Sequence, residues 1–337
     1  MVACMPHAHA DKTCRIGTPA VMRLDVILPT YNRMRLLPRA IDAFLAARVP
    51  DGVEARLMVV DNNSNDTTRA TVAAYAERHP GRVASLFEPK QGRHHALNAG
   101  ILTSGADVVG FVDDDEVMDA GWIEVVAREF GKPGLDFIGG PYLANWLAPR
   151  PDWLPPGFAG VIGVFDYGPA PFHYGAAECP THLLGGNAAV RREVFERTGP
   201  YSDRYPFAED LEMYRRIVAA GFVGAYIPDL IIHHDIPAGR LTKRYFRHWV
   251  YAAGRNEGKF ARDGIGAPDG PSLLGAPRWM WRRAAEGMAL RLWRARRPDD
   301  PLAFAGELHA IDLLGYLRGR WLTLPERHHD RSGRGAR

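Results

Sequence analysis

A repeated alternation of short apolar strands and amphipathic helices begins at Leu24 and most constrains how this chain can fold. The predicted strands span 24–29, 55–61, 82–88 and 106–115, and the predicted helices between them span 36–47, 67–79 and 94–103. This order predicts an α/β fold with a mostly parallel sheet flanked by helices. Each strand ends in polar residues, and open α/β sheets bind ligands at the carboxyl ends of their strands.

The pattern loosens after Gly131, where residues 139–186 are rich in glycine, proline and aromatic residues and predict an irregular lobe. Regular structure returns with predicted helices over 190–198 and 208–220 and a strand over 222–228. Beyond Leu241 the sequence predicts further helices, separated by a Gly/Pro-rich linker. We therefore expect a disordered leader (1–22), a domain (23–240), a basic helical extension (241–325) and a disordered tail (326–337).

The composition is that of a globular protein, with 46% apolar and 24% charged residues. No run of about 18 apolar residues predicts a membrane span, and the first twenty residues do not have the pattern of a secretory signal. We therefore expect a cytoplasmic location. The three cysteines, Cys4, Cys14 and Cys179, lack metal-ligand spacing and predict neither a disulfide scaffold nor a zinc site.

The net charge of +3 conceals an uneven distribution, because residues 241–337 hold 19 Lys and Arg against 10 Asp and Glu. Segment 278–297 alone has seven arginines, with Trp281, Ala285, Met288 and Leu292 at helical spacing. Such a helix fits the surface of an anionic bilayer, and equally an amphipathic helix packed on the domain. Nucleic-acid binding is not expected, since no recognition module is present and residues 1–240 are net acidic.

Three adjacent carboxylates, Asp113, Asp114 and Asp115, end the fourth predicted strand. On a strand Asp113 and Asp115 face the same side, and such a pair can hold a divalent cation that bridges two phosphates. A solvated acidic turn is the alternative interpretation. The chain contains neither a P-loop nor a Gly-x-Gly-x-x-Gly motif after the first strand, which disfavours P-loop phosphotransferases and dinucleotide dehydrogenases.

Three further positions offer groups for a nucleotide. Asp61 ends the second strand, where its carboxylate can accept hydrogen bonds from a base or ribose, although it can also cap the next helix. The loop 29–33 offers Tyr31 and Arg33. Arg93 follows a glycine at a helix start, where it can meet a phosphate or remain an ordinary surface residue.

Six motifs occur in a fixed order: VILPTYNR (26–33), VVDNNSNDTT (59–68), GRHHALNAG (92–100), FVDDD (111–115), GGNAAVRREVF (185–195) and EDLEMYRRI (209–217). This series, from about Leu24 to Pro237, resembles the family 2 glycosyltransferases of the GT-A fold. The resemblance implies transfer of a sugar from a nucleotide-sugar donor, with inversion at the anomeric carbon, assisted by Mn²⁺ or Mg²⁺. It also implies a nucleotide-binding half over 23–130 and an acceptor half over 131–240.

The resemblance assigns site residues by position. It implies that the nucleotide is held by Pro29, Thr30, Tyr31, Arg33, Asp61, Arg93, Asp113 and Asp114. It implies a metal site made by Asp113, Asp115 and His234. The sequence leaves open whether His233 or His234 faces the metal, and we favour His234.

On the acceptor side, Glu209 and Asp210 begin a predicted helix, where acids also complement the helix dipole. The resemblance implies that Asp210 is the general base and that Glu209 orients it. It also places Gly185, Gly186 and Asn187 between donor and acceptor. The aromatic lobe, Trp153 included, is expected to offer stacking surfaces to a glycan or lipid-linked acceptor.

These residues lead to three hypotheses. The first is a glycosyltransferase, with a UDP-sugar as the expected donor, that builds a cell-surface polysaccharide or glycolipid at the inner face of the cell membrane. The second is a sugar-1-phosphate nucleotidyltransferase, although such enzymes normally carry a glycine-rich basic loop after the first strand. The third is a catalytically silent, membrane-associated sugar-nucleotide binding protein.

Overall fold

The computed structural model of the chain describes residues 21–176, 179, 181–183, 185–205, 208–265, 270–294, 297 and 299–322. Nearly all of the predicted leader and all of the predicted tail 326–337 lie outside the described residues.

The first half of the chain forms four parallel strands in the order β3-β2-β1-β4. These strands are β1 (Met22–Thr30), β2 (Val53–Asp61), β3 (Val83–Phe87) and β4 (Val108–Phe111). The helices that connect them are α1 (Leu37–Ala46), α2 (Thr68–Arg78) and α3 (Arg93–Thr103). β1 is buried from Leu24 onwards, as expected for a strand covered on both faces. The predicted α/β fold is confirmed here almost element by element.

The second half extends the same sheet as β4-β9-β6-β10-β8. Its strands are β6 (Phe137–Gly139), β8 (Phe172–His173), β9 (Ala188–Arg191) and β10 (Gly224–Tyr226). Its helices are α4 (Trp122–Phe130), α5 (Arg192–Thr198) and α6 (Glu209–Ala219). β9 runs antiparallel to both of its neighbours, so the sheet is mixed. The predicted helix 190–198 was wrong at its start, because residues 190 and 191 belong to β9 and the helix begins at Arg192.

A three-stranded sheet in the order β5-β11-β7 lies beside the carboxyl end of β4. Its strands are β5 (Glu116–Met118), β7 (Tyr142–Trp146) and β11 (Ile232–Ile236). In its register His234 pairs with Glu116. This pairing carries His234, far along the chain, to the turn that holds the three aspartates.

The extension contains three long helices, α7 (Lys243–Arg262), α8 (Arg278–Trp293) and α9 (Pro301–Trp321). α7 and α9 touch through glycines: a Cβ atom at Gly258 would lie 2.0 Å from the Tyr316 carbonyl oxygen. Phe246 of α7 and Phe304 of α9 share a hydrophobic cluster with Leu154 and Ile162 of the lobe. The helices are therefore packed onto the α/β part, and the boundary at residue 240 stays a prediction.

Helix α8 packs on α9 by a different face from the one that the sequence predicted. Its buried residues are Met280, Ala284 and Gly287, whereas Met288 and Leu292 of the predicted apolar stripe are exposed. Small residues at 284 and 287 allow the two helices to approach closely, which the larger residues would prevent. Among the described helices, none combines the length and apolar character needed to cross a bilayer.

Substituting Gly258 by alanine tests the close packing of α7 on α9. Alanine has the higher helix propensity, but its methyl group would overlap the α9 backbone. We expect the free energy of unfolding to fall by about 1–3 kcal/mol, measured by urea denaturation. Gly105→Ala is the control, because nothing lies within 4 Å of a Cβ there. Equal stability of the two variants would contradict the packing assignment.

Candidate active site

The predicted site residues converge where β1, β2 and β4 end. Asp113, Asp114 and Asp115 lie in the turn between β4 and β5, not on the strand itself. We call this turn the acid turn. The three side chains make separate contacts: Asp113 meets Arg93, Asp114 meets Thr30, and Asp115 meets Arg240. The strand alternation used to pair Asp113 with Asp115 therefore does not apply, although both side chains remain in the same cluster.

Arg93, the first residue of α3, links Asp113 to Glu209. Its Nε and Nη2 atoms donate to Asp113 Oδ1 at 2.9 and 2.8 Å, and its Nη1 lies 3.4 Å from Glu209 Oε1. Burial opposes the charged guanidinium, but the charges of Asp113 and Glu209 outweigh this and raise the pKa of Arg93 well above its usual value. One cation thus joins the acid turn to the start of α6.

Asp114 turns towards the loop after β1. Its Oδ2 accepts a hydrogen bond of 2.8 Å from Thr30 Oγ1, and Arg33 Nε lies 3.8 Å from its Oδ1. Burial and the neighbouring Asp115 raise the pKa of Asp114 to about 7, although Arg33 and Thr30 oppose the shift. The turn therefore carries more negative charge than its surroundings neutralise.

Asp115 contacts both His234 and Arg240. His234 Nε2 lies 3.7 Å from Asp115 Oδ1, and Arg240 Nη2 donates to Asp115 Oδ2. Burial would raise the pKa of Asp115, but His234 and Arg240 reverse the effect and hold the pKa well below its usual range. His234 is buried on β11 and faces the acids, as we favoured over His233.

The donor set fits a divalent cation. His234 Nδ1 donates to the Gly163 carbonyl oxygen at 3.1 Å, while its Nε2 accepts from Arg240 Nη1 at 2.6 Å. A backbone carbonyl that fixes one ring nitrogen leaves the other as a ligand, which is the usual arrangement of a metal-binding histidine. Carboxylate and imidazole groups suit Mn²⁺. In this structure the guanidinium of Arg240 supplies the positive charge between Asp115 and His234.

Asp61 offers an acceptor at the end of β2. Its side chain is 1% exposed, and its Oδ1 accepts from the Ser64 amide at 3.1 Å. Its Oδ2 is buried and has no hydrogen-bond partner among the described residues. Because a buried carboxylate oxygen without a donor is costly, this atom suits a hydroxyl or N–H group of a ligand.

The segment 185–186 lies between the acid turn and the start of α6. A Cβ atom at Gly186 would lie 2.5 Å from Glu116 Oε1, and one at Gly185 would lie 3.3 Å from both Arg93 Nη1 and Asp210 Cβ. Asp210, in the first turn of α6, is partly exposed there, whereas Glu209 is buried. The two glycines thus bring Asp210 close to the residues that contact the aspartates.

Two predicted contacts were wrong. Asn187 is completely buried: its Oδ1 accepts from Trp122 Nε1 at 2.8 Å, and its Nδ2 donates to the carbonyls of Pro141 and Leu230. No group of this side chain is left for a sugar. Trp153 packs edge to face against Phe246 and Phe304, so it joins the lobe to the extension instead of stacking on an acceptor.

Four further residues of the site were not assigned to it from the sequence, although Tyr142 was expected among the stacking aromatic residues of the lobe. Glu116 accepts from the Asp113 amide at 2.7 Å, and burial beside Asp113 and Asp115 raises its pKa well above normal. Tyr142 accepts from the Gly186 amide, and Asn62 accepts from the Gly92 amide. Arg240 is the fourth. Of these four, only Glu116 could have been assigned to the site from its place in the sequence, because it directly follows the three aspartates.

A second cluster of metal-ligand atoms, within 4.8 Å of one another, belongs to His94, His95 and Asp203. Asp203 also accepts from Lys90 Nζ at 2.9 Å. His94 Nδ1 is buried without a partner among the described residues, so a metal on Nε2 would leave a buried N–H unpaired. We interpret this cluster as a set of polar contacts that holds α3 against the segment before α6.

Comparisons with known proteins show the family of the chain. The sequence profile described as glycosyl transferase family 2 matches residues 25–199. The succinoglycan biosynthesis protein ExoM of Rhizobium meliloti is 23% identical over 71% of this chain and 75% of its own length. The O-antigen chain rhamnosyltransferase RfbN of Salmonella typhimurium is 26% identical over 69% of this chain and 73% of its own length.

A solved structure shares the fold. The mannosyltransferase PcManGT of Pyrobaculum calidifontis, in complex with GDP-Man and Mn²⁺, superposes with a TM-score of 0.58 at 18% identity, covering 88% of this chain and 87% of that one. The fold and site thus define a sugar-transferring enzyme of the GT-A type. The chain belongs to glycosyl transferase family 2, which sets the nucleotidyltransferase hypothesis aside.

Replacing Asn187 by alanine tests its packing role. The change removes the partners of Trp122 Nε1 and of two buried carbonyls, so we expect the free energy of unfolding to fall by at least about 2 kcal/mol in chemical denaturation. Asn65→Ala, at an exposed position, is the control and should be nearly neutral. A similar small effect of both substitutions would contradict the assignment.

Proposed function

We propose that this enzyme transfers a sugar, with inversion, from a nucleoside-diphosphate sugar to a hydroxyl of a glycan or lipid-linked acceptor during synthesis of a cell-surface polysaccharide or glycolipid. One observation carries the proposal: Asp61, whose buried Oδ2 has no partner among the described residues, and the acid turn held by Arg93 lie at the ends of β2 and β4, the two strands that flank β1. The names of ExoM and RfbN support the polysaccharide assignment.

In the proposed donor site, Asp61 accepts a hydrogen bond from the base or ribose. The end of β1 and the loop after it, with Pro29, Thr30, Tyr31 and Arg33, cover the nucleoside, and Asp114 fixes this segment through Thr30. Arg93 and the amino end of α3 face the phosphates. A UDP-sugar is the expected donor.

The metal proposed for this site is Mn²⁺ or Mg²⁺, held by Asp113, Asp115 and His234. When bound, it neutralises the charge that develops on the leaving diphosphate. Arg240, which contacts both Asp115 and His234, borders the atoms that would hold the ion.

Proton removal from the acceptor is assigned to Asp210. Inversion requires a base on the face of the sugar opposite the diphosphate, and α6 presents Asp210 across the gap at Gly185 from Arg93. Glu209, paired with Arg93, fixes the first turn of α6 and so orients Asp210. Gly185 and Gly186 let Arg93, Asp210 and Glu116 approach one another where donor and acceptor are proposed to meet.

A lipid-linked acceptor would be met at a membrane. We infer that the enzyme works in the cytoplasm, at the inner face of the cell membrane, with α8 and the following arginines of segment 278–297 against anionic lipid. Leu292 and Trp293 are strongly exposed at the end of α8, which supports this contact.

Asp210→Asn tests the mechanism. Asparagine keeps the size of the side chain but cannot take a proton, so sugar transfer should fall by roughly 10²–10⁴-fold. UDP, GDP, dTDP and CMP are each tested with Mn²⁺, and the nucleotide that raises the unfolding midpoint of the unaltered chain identifies the donor base. The same nucleotide should stabilise Asp210→Asn equally. Asp229→Asn, at an exposed surface pair with Arg128, is the control. Native transfer by Asp210→Asn would exclude Asp210 as the base.

Asp115→Asn tests the metal site. Losing one charged ligand should abolish the Mn²⁺-dependent part of nucleotide stabilisation and lower transfer by orders of magnitude. Asp203→Asn removes the carboxylate of the second cluster and should leave the Mn²⁺ dependence intact. If Asp203→Asn alone removes that dependence, the metal site is wrongly placed.

A further inference from the structure

A short hairpin before α8 has an apolar tip. Its strands are β12 (Ser272–Leu273) and β13 (Ala276–Pro277), joined by the two-residue turn Leu274-Gly275. Both turn residues have positive φ, 50° for Leu274 and 78° for Gly275, as in a type I′ turn. Such turns favour asparagine, aspartate or glycine, and a bulky leucine is uncommon at positive φ. The turn geometry therefore does not explain Leu274.

The hairpin is held firmly by the two helices beside it. Trp321 Nε1 donates to the Leu274 carbonyl and Trp281 Nε1 donates to the Leu273 carbonyl, each at 2.9 Å. A Cβ atom at Gly275 would lie 2.7 Å from the Trp321 ring, so the indole packs directly on the turn. The backbone of Leu273 and Leu274 is thus held in place by Trp281 and Trp321.

Exposed apolar side chains continue around this tip. Leu273 is 50% exposed and Leu274 is 68% exposed, and the supporting Trp321 is 63% exposed. Trp279 and Leu322 are also exposed. Arg278 follows the hairpin directly in the sequence, and the exposed Arg318 lies one helical turn before Leu322, so the sequence places cations next to the apolar residues.

We propose that this hairpin tip, together with Trp321 and Leu322, inserts into the headgroup region of an anionic bilayer. Leucines at a convex turn, tryptophans behind them and arginines around them match the order of polarity at a bilayer surface. The excess of Lys and Arg in residues 241–337 supplies the charge that an anionic leaflet attracts. The inference rests on the membrane contact proposed above for segment 278–297 and adds the hairpin, which precedes α8, as its principal apolar anchor.

The test compares two double variants of the full chain in vesicle co-sedimentation. Leu273→Ser with Leu274→Asn removes the apolar tip, and asparagine adopts positive φ more readily than leucine. Leu292→Ser with Trp293→Ser removes the exposed end of α8. With vesicles containing phosphatidylserine, we expect the hairpin variant to bind about tenfold more weakly than the unaltered chain, with an unchanged or higher unfolding midpoint. The α8 variant should bind only about twofold more weakly than the unaltered chain, because its apolar end is the lesser of the two contacts.

The alternative outcomes are distinct. If the hairpin variant binds like the unaltered chain while the α8 variant does not, the hairpin is not the anchor and the membrane contact of α8 stands. If neither variant loses binding, or the unaltered chain does not bind these vesicles, both proposals fail. Sedimentation velocity without vesicles provides the last comparison: a dimer that the hairpin variant dissociates would assign the tip to a second copy of the chain and overturn the inference.

Discussion

Buried negative charge at the turn after β4 is the constraint around which the site is arranged. Four acids, Asp113 to Glu116, follow one another where the strand leaves the sheet, and burial opposes the ionisation of Asp114, Asp115 and Glu116. Arg93 and Arg240 approach from α3 and from the segment after β11. Arg93 and Arg240 are distant from the acids in the sequence. The site therefore forms only when the chain has folded and the two sheets have brought these arginines to the turn.

Sequence reasoning found the parts of this arrangement that local pattern determines. β1 to β4 were predicted because apolar runs ending in polar residues are a local signal, and the same signal pointed to Asp61 and Asp113. β9 was missed because its four residues directly precede α5 and lack the length of a typical strand. Arg240 was missed because a surface arginine and a buried one look alike until the register of β11 is known.

Asn187 and Trp153 show a different limit. A motif predicts that a position is constrained, but it does not say whether a ligand or the protein itself imposes the constraint. Asn187 satisfies one indole and two carbonyls, and Trp153 fills the contact with α7 and α9. In α8 the predicted apolar stripe is not the buried face, because glycine and alanine, not leucine, make the close contact with α9.

The double contact of Arg93 has a consequence for engineering. Because the same guanidinium holds Asp113, in the turn after β4, and Glu209, at the start of α6, the segments before and after residue 130 are not interchangeable modules. A chimaera that takes residues 23–130 from one relative and the remainder from another has to inherit an arginine and a glutamate that match each other across the junction.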